Sequence, residues 1–104
     1  MNTATSIADT KAAVHYSTNG PEPHILFHNE QLKVIVAGLA AGQQIPEHPE
    51  ALAVYHFLEG KGQMTVNDET ITVSPGATVV TPAGSTRGVF AETQLSFLAA
   101  RVAQ

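Results

Sequence analysis

Apolar and polar residues alternate along this chain in short runs, and no stretch carries the spacing of an amphipathic helix. Val/Ile-rich or alternating runs fall at residues 24–27, 32–39, 43–48, 52–58, 63–66, 70–73, 78–81, 87–90 and 95–100. Between them stand turn formers: Ala40-Ala41-Gly42, Gly60 with Gly62, Asn67-Asp68-Glu69, Pro75-Gly76 and Pro82-Ala83-Gly84. Turns recurring at roughly 8–12 residues predict an all-β sandwich or barrel. Pro46 lacks an N–H, so the run around it is expected at a sheet edge or a bulge. Residues 1–23 are weakly patterned and end in Asn19-Gly20-Pro21-Glu22-Pro23. They read as a mobile or edge-pairing arm, with a short strand near Val14 to Tyr16, ahead of one barrel domain at 24–104.

Composition narrows the function classes. A chain of 104 residues is long enough for one domain with one core. It has no cysteine, which excludes disulfides and thiolate metal sites and suits the cytoplasm. Its opening residues, Met1-Asn2-Thr3-Ala4-Thr5-Ser6, are too polar for a secretory signal, and no run is long enough to span a membrane as a helix. Net charge is −4 with only five Lys and Arg, so there is no basic footprint for nucleic acid. The expected partner is a small molecule. Low charge overall, together with Val54 and Leu58 facing outward, also suggests a second copy of the chain as a homodimer.

The sharpest signal is Gly76-x5-Pro82-x-Gly84-x2-Arg87-x3-Ala91. It resembles the second motif of the cupin family, G-x5-P-x-G-x2-H-x3-N, with Arg87 at the His position and Ala91 at the Asn position. The first cupin motif, G-x5-H-x-H-x3/4-E-x6-G, is met by Gly42 and His48, with Glu50 in place of the second His. Its acidic position falls on Tyr55 if counted forward to Gly62, or on Ala53 if counted back from Gly60. The resemblance implies a double-stranded β-helix, or jelly-roll barrel, with a cavity at one mouth. It also implies a metal held by three His and one Glu in many members.

Read residue by residue, that metal site is altered. Only His48 keeps a ligand position, Glu50 adds a second donor at best, and Arg87 has no lone pair to offer. No cofactor is expected, with a divalent metal as the open alternative. Strand alternation places Ala53, Tyr55 and Phe57 toward the cavity and Val54, His56 and Leu58 away from it. His56 becomes a metal ligand only if a bulge turns it inward to meet His48. The candidate ligand-binding set is therefore His48, Glu50, Tyr55, Phe57 and Arg87. Arg87 has the planar fork that suits a carboxylate or phosphate. His48 can act as general acid or base, oriented by Glu50, and Tyr55 can supply a hydroxyl. Three readings follow: a module binding a small anionic molecule; a metal-free or weakly metal-dependent isomerase, epimerase or dehydratase using His48 with Arg87; and a metal-dependent oxygenase with unusual ligands. A His–Glu–Arg cluster that only braces the barrel mouth competes with the second. His24 and His28, four apart in one run, are expected on a shared strand face, and with His15 are read as surface or edge positions.

Overall fold

The structure, a computed structural model, describes residues 3–103; Gln104 and the first two residues of the expected arm lie outside the described residues. Among the described residues nine strands form: β1 (Glu22–His28), β2 (Leu32–Leu39), β3 (Gln44–Pro49), β4 (Ala53–Glu59), β5 (Gly62–Val66), β6 (Glu69–Val73), β7 (Thr78–Thr81), β8 (Thr86–Ala91) and β9 (Leu95–Val102). They pair antiparallel into a five-stranded sheet, β1-β2-β9-β4-β7, and a four-stranded sheet, β3-β8-β5-β6. The two sheets bury their facing sides against each other. This is the all-β architecture that the alternating pattern predicts, in the jelly-roll form that the cupin resemblance implies.

Alternation decides which side chains form the core. Along β4, Ala53, Tyr55 and Phe57 are buried while Val54 and His56 are exposed. Along β5, Gly62, Met64 and Val66 turn inward. The inward rows of β2 and β9 run Leu39, Ala37, Ile35, Lys33 and Leu95, Phe97, Ala99, Arg101. Phe97 packs its ring 5.5 Å from that of Phe57 and 5.4 Å from that of Tyr55. Such tilted contacts add modestly to the burial itself.

Three local features depart from simple strands. β3 is an edge strand whose register shifts between Ile45 and His48, around Pro46, as a residue without an N–H requires. The short strand expected near Val14 to Tyr16 does not form. A 3-10 turn at Lys11–Ala13 and one isolated bridge, Ser17 to Gly20, stand there instead. This segment packs on the outer side of β2 at Gly38, where an added Cβ would lie 2.2 Å from the His15 carbonyl oxygen. Any side chain at position 38 would push the segment off. Finally, β1 carries a bulge between Ile25 and Phe27, so His24 pairs with Val36 and His28 with Lys33. The expectation that His24 and His28 share a face fails, because one extra residue reverses the alternation. His24 meets His15 edge-on at 5.8 Å on the outside, while His28 lies on the Lys33 side.

Candidate binding site

Strand register stacks the interior in layers. Lys33, Arg101, Ala53 and Thr81 share a cross-strand row at one end of the five-stranded sheet. His48, Arg87 and Val66 form the corresponding row of the other sheet. One layer deeper stand Ile35, Ala99, Tyr55 and Val79, opposite Ile45, Val89 and Met64. A cavity of about 170 Å³ opens between these layers. Its mouth is lined by Lys33, His48, Arg87 and Arg101, and its interior by Ile35, Ile45, Tyr55, Gly88, Val89, Phe97 and Ala99.

Arg87 is 1% exposed and is committed to the backbone around it. Its Nη1 donates to the Ala51 carbonyl at 2.8 Å. Its Nη2 lies 2.9–3.1 Å from the Glu50, Pro82 and Ser85 carbonyl oxygens and the Ser85 hydroxyl. With two hydrogens for four acceptors, Nη2 must share them. The guanidinium therefore ties the β3–β4 loop to the β7–β8 turn. That turn is shaped by Gly84, at φ 79°, which donates its N–H to the Glu50 carbonyl at 2.8 Å. The fork expected to grip a ligand grips carbonyls instead. Nε is buried and has no partner among the described residues.

Glu50 pairs with a different arginine from the one the sequence suggests. Its Oε2 accepts from Arg101 Nη1 and lies 3.5 Å from His48 Nε2. The His48 Nδ1 sits 2.9 Å from the Pro46 carbonyl, fixing the ring beside the mouth. Tyr55 lines the cavity, and burial raises its phenol above the ordinary value, with the adjacent Arg87 guanidinium pulling it partly back. The hydroxyl thus stays a neutral donor at physiological pH. Phe57 is fully buried in the core below and does not line the cavity. His56 points outward, exposed, with Nδ1 2.9 Å from Thr78 Oγ1, and does not converge with His48.

Lys33 and Arg101 were not singled out by motif spacing, yet both line the mouth. The signal was present in the alternation. Each ends an otherwise apolar inward row, Leu39-Ala37-Ile35 and Leu95-Phe97-Ala99, so each marks where the interior meets water.

The donor set does not fit the metal of the wider fold family. No three His, Asp or Glu that could hold an ion gather among the described residues. The donors near the mouth are His48 and Glu50, with the Arg87 guanidinium beside them in the pairing register.

The fold and cavity define a small jelly-roll barrel with a ligand-sized opening at one mouth. Residues 32–100 match the Cupin domain family, and the chain belongs to it. It is similar to the conserved SPY1581 protein of unknown function from Streptococcus pyogenes, at 25% identity and a TM-score of 0.85, over 99% of this chain and 91% of that one. It is similar to the TT1209 protein from Thermus thermophilus at 24% identity and a TM-score of 0.86, over 94% and 98%. An RmlC-like cupin from Desulfovibrio desulfuricans matches at 25% identity and a TM-score of 0.78, over 99% and 96%. No curated protein matches the chain. No helix among the described residues is long and apolar enough to cross a membrane.

Proposed function

We propose that this cupin binds a small anionic molecule in its barrel cavity, with Lys33, Arg101 and His48 receiving the negative group. One observation carries the reading. Three of the chain's five Lys and Arg line this one cavity, and none of its nine Asp and Glu does. A random scatter of charges in a chain of net charge −4 would favour the opposite sign. Lys33 is half-buried and has no ion-pair partner among the described residues, so its charge is available to a ligand. A cation held beside apolar walls attracts an anion more strongly than it would in open water. Arg87 contributes field but not its fork, which weakens the reading of His48 with Arg87 as an acid–base pair.

Acetate, phosphate and similar small anions are expected to raise the melting temperature of the wild type but much less that of Lys33→Met. Saturation at about 100 times the dissociation constant adds ~2.7 kcal/mol, roughly 10 °C for a domain of this size. An equal shift in both proteins, or none in either, would overturn the assignment.

We also propose that the chain pairs as a homodimer through the outer side of β4 and β7. Val54 and Val80 are Cα partners there and are 40% and 60% exposed, while Leu58 is half-buried and contributes less. Sedimentation at micromolar concentration is expected to give a dimer that Val80→Asp dissociates. A wild-type monomer would sink the proposal.

A further inference from the structure

The cavity has two chemically distinct halves, and the split specifies more than charge. Every basic residue that lines it belongs to the mouth layer, at Lys33, Arg101 and Arg87. Below the mouth, the walls are Ile35, Ile45, Gly88, Val89 and Ala99, closed by the Phe97 ring, with Tyr55 beside them carrying the one hydroxyl of this half, next to Arg87. An ion as small as phosphate would satisfy the mouth and leave this apolar space unfilled. A neutral apolar molecule would fill the space and leave the cations unpaired.

Resting on the anion reading above, we propose that the ligand is a carboxylate with a compact apolar tail, its head at the Lys33–Arg101 mouth and its tail directed toward Phe97. The size follows from the volume. A dry cavity of about 150 Å³ lined by aliphatic side chains accepts benzene, and this one measures about 170 Å³ with its open, charged mouth included, which leaves room for one ring or its equivalent together with the head. A single ring or a branched chain of four to six carbons fits, and a long fatty chain does not. Position 99 is alanine, the one small side chain in the inward row Leu95, Phe97, Ala99 and Arg101, and it leaves space there. Ala99 faces Ile35 on one neighbouring strand and Tyr55 on the other, so a larger side chain there would project into the ring of apolar walls. Charge at the mouth supplies attraction and orientation, and the interior supplies discrimination by tail shape.

The test is a calorimetric series on the wild type at low salt with acetate, phosphate, 3-methylbutanoate, benzoate and benzyl alcohol, repeated on Ala99→Leu. Each buried methylene is worth roughly a fourfold gain in affinity. Benzoate and 3-methylbutanoate are therefore expected to bind at least about tenfold tighter than acetate or phosphate, and benzyl alcohol at least about tenfold weaker than benzoate. In Ala99→Leu the benzoate advantage over acetate is expected to vanish, and an advantage that persists would overturn the tail. Acetate or phosphate binding as tightly as benzoate would overturn the tail and leave the anion reading standing. Benzyl alcohol matching benzoate would overturn the anion reading and this inference with it, as would no binding by any of the five. If Ala99→Leu fails to fold, the wild-type series decides alone.

Discussion

Replacing Arg87 with methionine is expected to lower folding stability by about 3–5 kcal/mol. That is a large share of the roughly 5–15 kcal/mol that holds a typical domain. Methionine fills comparable space, so the loss comes from hydrogen bonding and not from a cavity. The carbonyls of Ala51, Glu50, Pro82 and Ser85 all accept from this one guanidinium, and they belong to two separate connections. Without it, the Ala51 carbonyl loses its donor, and the β3–β4 loop is left tied to the β7–β8 turn only by the backbone bonds from Gly84 to Glu50 and from Glu50 to Ser85. Arg87→Lys keeps the charge but offers one nitrogen in place of a planar fork, so it is expected to recover less than half of the loss. Urea denaturation measures both, with an unchanged m-value indicating the same folded state. The alternative role for Arg87, as the ligand's main anchor, predicts the reverse pattern. In that case Arg87→Met would fold with wild-type stability and fail only in binding. A loss below about 1 kcal/mol would therefore reject the clamp.

That distinction shows where the sequence was legible and where it was not. The register of β4 could be read directly, because Ala53, Tyr55 and Phe57 alternate with Val54 and His56, and burial follows the alternation. The spacing from Gly76 to Arg87 located the turn, because its glycines and proline leave few conformations open, and the resemblance to the second cupin motif set Arg87 at an inward position. The partners of Arg87 could not be read. They are main-chain oxygens, which every residue carries, so no side-chain identity encodes them. The bulge in β1 was equally hidden. Ile25, Leu26 and Phe27 are all apolar, and a uniform run does not say which residue drops out of register. Lys33 and Arg101 were legible but lay outside the motifs, at the ends of rows that a strict period-two reading places inward.

Arg101 is expected to matter more to anion binding than Lys33, although both carry one charge into the same mouth. The reason is Glu50. Its carboxylate accepts from Arg101 Nη1, and the pair is only partly exposed, at 29% for Arg101 and 26% for Glu50. Arg101→Met removes an attractive charge and leaves that carboxylate uncompensated beside the ligand's own negative group. A charged hydrogen bond lost costs about 1.5–3 kcal/mol, and the new repulsion adds to it. A loss of about 100-fold or more in affinity for a small carboxylate is expected, against roughly tenfold for Lys33→Met, which strands no partner. Glu50→Gln in the Arg101→Met background should restore about tenfold, because it removes the repulsion but cannot return the cation. Glu50→Gln alone should tighten binding, since Arg101 is then free to turn to the ligand. The four proteins form a double-mutant cycle, and titration calorimetry across it reads the coupling directly. Additive effects of the two substitutions would mean that Glu50 does not hold Arg101 back from the cavity, and the mouth would have to be described as three independent cations.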